Sequence, residues 1–285
     1  MQTSNTIPKF LSSPIAKTLV YANIFISICS LAQVFVTYIV FDIRLDWNNI
    51  FYLVFVFSST YIQYNIQRIF AIIQNKSSFE RADWYKKNNV LVLFIGCISL
   101  VLVGLISWNL SSLSISLMVS VELLSNLYYL PPFNLKKYGA IKPFIISTGW
   151  VISCVFVPLY ENNILQINTI WFMVSQFLFI SSLCILFDIK DAEEDYLKGV
   201  NTYANKFGIT ITKIISISLM VLSSLCCLFL KHPTLPILII TGITSAITIG
   251  SILLTNEKKH TFYYYLWIDG LMIVQALVFL CFNTK

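Results

Sequence analysis

Three acidic residues at the end of an apolar run carry the clearest chemistry in the sequence. They lie in the stretch Phe187-Asp188-Ile189-Lys190-Asp191-Ala192-Glu193-Glu194-Asp195. On a helix turning ~100° per residue, Asp188, Asp191 and Asp195 fall within roughly 60° of one another. Like charges stacked on one face repel unless a cation sits among them. Carboxylate oxygens suit a hard ion, and Mg²⁺ is held by one or two carboxylates together with water and phosphate oxygens. The spacing therefore predicts a Mg²⁺ site on Asp188, Asp191 and Asp195. Glu193 and Glu194 point elsewhere. The competing reading is a solvated acidic helix end, which the helix macrodipole disfavours at a C-terminus.

A second polar cluster reads Tyr128-Tyr129-Leu130-Pro131-Pro132-Phe133-Asn134-Leu135-Lys136-Lys137-Tyr138-Gly139. The proline pair ends a helix. Lys136 and Lys137 follow at a membrane surface, where ammonium groups either hold a diphosphate as point charges or simply anchor the loop.

Three more charges sit inside apolar runs. Arg68 shares a helix face with Tyr61 and Asn65. Glu122 shares one with Asn126 and Tyr129, and Asp269 shares one with Phe262 and Tyr265. A charge at membrane depth is costly, marks a functional site by default and faces the bundle interior. Arg68 has three readings: it binds a departing diphosphate through two N–H groups, it snorkels to the near surface, or it pairs with Glu122. Glu122 and Asp269 are also candidates to accept a proton. The residues alone leave these readings open.

Positioning such groups requires helices, and composition says of which kind. The 285 residues are 57% hydrophobic and 11% charged, with a mean hydropathy of +0.78. A soluble chain carries about a quarter charged residues, so a water-soluble enzyme, a disordered chain and a disulfide scaffold are all excluded. Nine apolar runs cover 18–41, 50–73, 90–110, 111–130, 143–160, 167–187, 214–230, 233–254 and 262–282. Each approaches the ~20 residues that cross a hydrocarbon core. Alternation of period two is missing, which argues against a β-barrel. The first run is too long for a signal-peptide core and lacks a cleavage site after it, so it is expected to stay. The weakest boundary is 110/111, where one long broken helix is the alternative to a turn at Asn109 and Ser111.

With the N-terminus in the cytoplasm, fifteen of the nineteen Lys and Arg fall on the inner side. Arg44, Lys231 and Lys285 fall outside, and Arg68 lies within a span. That asymmetry predicts an all-α membrane protein of nine transmembrane helices, with the N-terminus cytoplasmic, the C-terminus outside and one domain over 1–285. The net charge of +6 then reports topology rather than nucleic-acid binding. The seven Cys lie in apolar runs and read as small buried hydrophobes. His232 and His260 sit in separate loops and make no metal set. The long loops are the inner ones, which makes the inner mouth the site candidate.

These motifs resemble the UbiA family of intramembrane prenyltransferases. The family's second Asp-rich motif, D-x-x-D-x-x-x-D, is matched by Asp188, Asp191 and Asp195. Its Y-x-x-P-P-x-x-L-K-x-x-G-like loop is matched by the stretch that carries Tyr129, Lys136 and Lys137 and ends at Gly139. The stretch from Lys198 to Thr202, with Gly208 after it, is similar to the family's G-x-x-T/S…G tail. The first Asp-rich motif, N-x-x-x-D-x-x-x-D, departs. Asn65 matches it, but Ile69 and Ile73 stand where Asp is expected, and isoleucine cannot ligate Mg²⁺.

The resemblance implies a nine-helix UbiA-like bundle in the bilayer, bacterial plasma membrane as the location and a site mouth on the cytoplasmic side. It also implies Mg²⁺, an isoprenyl diphosphate donor and an acceptor that is an aromatic ring or another lipophilic molecule, such as a quinone or pigment precursor. The expected catalytic set is Asp188, Asp191, Asp195, Asn65 and Arg68, with Arg68 standing in for the lost metal. The expected substrate-binding set is Lys136, Lys137, Tyr129, Glu122 and Asn126. The alternative is a catalytically degenerate relative that binds a polyprenyl lipid or a membrane partner without turnover. A transporter is a weaker reading, because no inverted repeat is legible.

Overall fold

The first apolar run does not make one helix. α1 (Pro14–Tyr21) and α2 (Ile24–Val40) meet at a 64° bend. Asn23 sits in the bend with φ 59°, a left-handed conformation that asparagine tolerates better than most residues. The computed structural model describes residues 13–74, 78–129, 139–197, 199–230 and 235–282, the side chains of 127–129, 194 and 235 excepted. The chain continues through α3 (Trp47–Ile73), α4 (Phe79–Lys87), α5 (Asn89–Ser107), α6 (Ser112–Tyr129), α7 (Lys142–Val151), α8 (Val157–Glu161), α9 (Ile170–Leu197), α10 (Tyr203–Cys226), α11 (Leu235–Leu254) and α12 (Leu271–Phe282). Among the described residues there is no strand.

The described parts of all nine apolar runs lie largely on helices. Among the described residues, six helical segments are long and apolar enough to cross a membrane, and the bent α1–α2 pair makes seven if it counts as one span. The criterion thus supports six or seven spans where the sequence suggested nine. α3 is long enough, but Ser58, Ser59, Thr60, Gln63, Asn65, Gln67 and Arg68 lower its hydropathy. Of α6, the described apolar stretch covers Ser112–Asn126. The 110/111 boundary is a true break. There the Glu161 side chain accepts hydrogen bonds from the Ser111 N–H at 3.0 Å and the Ser111 hydroxyl at 2.7 Å, tying the start of α6 to the end of α8.

Close helix packing comes from small polar residues, as expected where lipid competes for apolar surface. Ser175 meets Ser223 and Ser182 meets Ser216, each at 3.1 Å, between α9 and α10. Ser181 donates to Ser147 of α7 at 2.9 Å. α9 is the most buried of the candidate spans and α5 the least. Cys29, Cys154 and Cys227 are buried, but Cys97 and Cys281 are exposed on the outer faces of the bundle. Their apolar surroundings there are lipid rather than core, which corrects the reading of all seven as buried.

Two π turns interrupt the helices. A π turn widens the helix and loosens its carbonyls. Over Ile152–Phe156, between α7 and α8, other helices supply the donors. Thr37 donates to the Cys154 carbonyl at 2.8 Å and Tyr52 to the Ser153 carbonyl at 2.6 Å. The second π turn spans Tyr263–Ile268 and leads into α12. There the Asp269 N–H reaches back to the Tyr264 carbonyl at 3.2 Å. A Cβ on Gly270 would lie 2.2 Å from the Leu266 carbonyl oxygen, so this turn demands glycine.

Gly139, just ahead of α7, is equally confined. A Cβ there would lie 2.9 Å from both the Asn201 carbonyl oxygen and Thr202 Cγ2, and the neighbouring Ala140 N–H donates to the Asn201 carbonyl at 3.1 Å. Gly139→Val should cost about 1–3 kcal/mol by overpacking. Gly96, with nothing within 4 Å of its Cβ position, should gain about 1 kcal/mol on mutation to Ala through helix propensity. Thermal unfolding in detergent reads both shifts, and equal midpoints for the two variants would contradict the contact at Gly139.

Candidate active site

A cavity of about 670 Å³ opens at one end of the bundle. Its wall is drawn from the α1–α2 bend, the end of α3, α4, the start of α7, the end of α9 and the second π turn. Among the described residues four cations line it: Arg68, Arg81, Lys142 and Lys190. Three carboxylates face it as well, Glu80, Asp191 and Asp269. Two of these are already matched. Glu80 pairs with Lys17 at 2.8 Å and Asp191 with Lys190 at 2.7 Å. Phe25, Ile26, Ile146, Phe187 and Phe262 supply an apolar side.

Arg81 is the most enclosed of the cations, at 3% exposure. Its Nη2 donates to the Val20 carbonyl (3.3 Å), the Tyr21 carbonyl (3.1 Å) and Asn23 Oδ1 (2.7 Å). Its Nε–H has no acceptor. The guanidinium lies 5.5 Å from the Tyr21 ring and 5.4 Å from the Tyr265 ring, within cation–π range. Burial pushes its pKa down to about 10, and the nearby Arg68 pushes the same way. At neutral pH it stays a cation. Glu80 stays a carboxylate, because its hydrogen bond with Lys17 holds its pKa below the usual value. Tyr265 sits between two positive charges, with Lys190 Nζ 5.0 Å from its ring and 3.4 Å from its hydroxyl.

α3 and its C-cap present Tyr64, Gln67, Arg68, Phe70, Ala71 and Gln74 to the cavity, and all but Phe70 follow the three-and-four spacing of one helix face. Arg68 thus faces the cavity, and its Nε–H also lacks an acceptor. Ile69 and Ile73, matched above to the metal positions of the first Asp-rich motif, are exposed and do not line the cavity. Asn65 is buried away from it. Its Oδ1 accepts from Asn23 at 3.2 Å and from Tyr85 at 2.6 Å. Its Nδ2 donates to the carbonyls of Ala22 at 3.1 Å and Tyr61 at 2.8 Å. All its hydrogen-bonding capacity is spent on tying α3 to the bend and to α4.

The acidic trio does not share one pocket. α9 continues as a helix through Leu197, so the stripe exists, but only Asp191 lines the cavity. Asp188 is 2% exposed and accepts from the Tyr203 N–H at 3.3 Å, because α10 folds back over it. Among the described residues no group of three or more His, Cys, Asp or Glu could hold a metal ion. The Mg²⁺ expected on Asp188, Asp191 and Asp195 does not fit this donor set. The cation beside Asp191 is Lys190, from the same stretch, at 2.7 Å, and the cation acting on Asp188 is Lys142 of α7.

Glu122 and Asn126 lie off the cavity. Glu122 faces Asn126, and Asn126 donates to Gln63 Oε1 at 3.2 Å. No ion pair joins Glu122 to Arg68 among the described residues. Lys136, Lys137 and the Tyr129 side chain lie outside the described residues. Asp269, Phe262 and Tyr265, grouped by helical spacing, do share the cavity wall. The sequence reading missed Arg81, Lys142 and Lys190 as site residues and counted them only as loop charges. The four-residue step from Arg81 to Tyr85 among the aromatics of 79–87 was a signal of a helix with one buried side.

The model of the UbiA prenyltransferase family matches residues 82–268, about two thirds of the chain. The chain belongs to the UbiA prenyltransferase family. The match begins beyond Asn65 and Arg68. A solved structure of digeranylgeranylglyceryl phosphate synthase in membranes is 19% identical, with a TM-score of 0.62 over 94% of this chain and 98% of that one. The apo structure of a UbiA homologue from Aeropyrum pernix K1 is 12% identical, with a TM-score of 0.63 over 88% and 97%. At these identities the two structures share the UbiA fold. No curated protein matches the chain in sequence.

Asn65 should behave in this UbiA bundle as a structural pin rather than a reacting group. Asn65→Ala leaves the Ala22 carbonyl without a donor and should cost about 2 kcal/mol. The thermal midpoint is expected to fall by the same amount with and without a bound prenyl diphosphate. An unaltered midpoint would show that the bend does not rely on Asn65.

Proposed function

We propose that this protein transfers an isoprenyl group from an isoprenyl diphosphate to a lipophilic acceptor, with an aromatic quinone or pigment precursor as the acceptor class. The observation that carries this reading is the cavity, where Arg68, Arg81, Lys142 and Lys190 face one space with aromatic and aliphatic walls. Its volume suits a ligand with a charged head and an apolar body. The family supports the same chemistry.

In this reading the C1–O bond of the donor breaks, and both electrons leave with the diphosphate oxygen. The guanidinium and ammonium groups stabilise the charge that grows there, more strongly in the transition state than before it. Aromatic faces such as Tyr265 and Phe187 lie along the same wall and suit an allylic cation. The acceptor then bonds to C1 and releases a proton, and Asp191 of α9 and Asp269, at the end of the second π turn, are the wall carboxylates suited to receive it. No step is assigned to Mg²⁺, because the carboxylates do not gather around one point. The Lys and Arg asymmetry supports a cytoplasmic mouth, and the membrane in this reading is a bacterial plasma membrane.

A second reading is favoured by Ile69 and Ile73. A relative that has lost its first Asp-rich motif would hold a polyprenyl lipid without turning it over. Purified protein in nanodiscs, given radiolabelled prenyl diphosphates of several lengths and a lipid extract, separates the two. We expect a prenylated lipid and free diphosphate, with kcat/KM lowered roughly 100-fold in Arg68→Ala, the scale of removing a donor to developing charge. Binding of every donor with product from none would leave the non-catalytic relative.

A further inference from the structure

The cavity holds more positive charge than its own carboxylates answer. Glu80 is taken by Lys17 and Asp191 by Lys190. Asp188 lies off the cavity, accepting from a backbone N–H of α10, and its charge acts on Lys142, while Asp269 on the wall acts on Lys190, which leaves the two arginines without a carboxylate among the described residues. A carboxylate already closed onto an ammonium group at 2.7 Å must give up that partner before it can ligate a metal.

The arginines show the opposite imbalance. Arg68 and Arg81 both line the cavity, and each has a buried Nε–H with no acceptor. Buried donors of a charged group are rarely left unmatched. The two guanidinium groups are also close enough for Arg68 to depress the pKa of Arg81. Two like charges held together beside empty space, each with an orphaned donor, are the imprint of an absent anion. Guanidinium N–H groups match phosphate oxygens in pairs.

We propose that the diphosphate head is neutralised in this cavity by side-chain cations, Arg68 and Arg81 foremost, and that its binding needs no divalent metal ion. This rests on the reading of the cavity as the donor site. It departs from the Mg²⁺ dependence that the family resemblance implies. It also assigns Asp191 a role opposite to that of a ligand, as the counter-ion that occupies Lys190 until the diphosphate arrives.

The test uses the full chain in nanodiscs with farnesyl thiolodiphosphate, whose C–S bond resists ionisation, and with inorganic diphosphate as the head alone. Binding is measured by titration calorimetry in EDTA and in Mg²⁺. We expect the Kd values in the two media to agree within about threefold. In EDTA, Arg68→Ala should weaken binding about tenfold or more, the scale of a lost charge-assisted hydrogen bond. Arg68→Lys should fall between the two. Asp191→Asn should bind more tightly than the parent, since Lys190 is released. Binding that is seen only with Mg²⁺, or that is lost in Asp191→Asn, or that ignores Arg68→Ala in EDTA, overturns the proposal and leaves prenyl transfer intact. Failure of both probes in both media removes the donor-site reading as well.

Discussion

A helix that stops at a buried bend leaves carbonyls that water does not reach, and something in the protein must answer them. Here that demand falls at the bend between α1 and α2. The carbonyls of Val20 and Tyr21 are met by Arg81, and that of Ala22 by Asn65. Asn23 in the bend touches both. The negative end of α1 also favours a cation beside it. Satisfying the bend therefore draws α4 and α3 onto one point, and it brings a guanidinium to the cavity wall as a by-product. Tyr85 completes the arrangement by donating to Asn65.

The distribution of charge follows from the same economy. Arg68, Lys190, Asp191 and Asp269 all lie in or at the end of apolar runs, and all face the cavity. Gathering them there lets each sense the others instead of lipid. Glu161 is answered separately by Ser111 and Ser114 at the start of α6. Each of these half-buried charges has polar or charged groups near it, which is what apolar surroundings require.

Much of this was legible from residue order alone. The nine apolar runs mark where helices lie, and the face grouping Phe262, Tyr265 and Asp269 is the one that lines the cavity. Arg68 was singled out because it stands alone in an apolar run. The bend at Asn23 was not legible, because the flanking residues are apolar on both sides and a single asparagine is a weak stop signal. α4 was hidden for a different reason. Its nine residues are mostly polar, so hydropathy reads them as loop, although Arg81 and Tyr85 are buried. The acidic stripe was placed correctly along a helix, but helical spacing says nothing of which neighbour covers which turn. α10 covers Asp188 and leaves Asp191 open, and only the tertiary fold decides that.

The wide turn before α12 carries a consequence for how this helix can vary. Along most of a lipid-facing rod, one aliphatic residue replaces another at little cost. Position 270 admits no substitution of that kind, since even a methyl group would collide with the Leu266 oxygen. A single atom-sized vacancy thus sets the registration of the whole rod, and with it the depth at which the adjoining carboxylate of Asp269 hangs over the hollow.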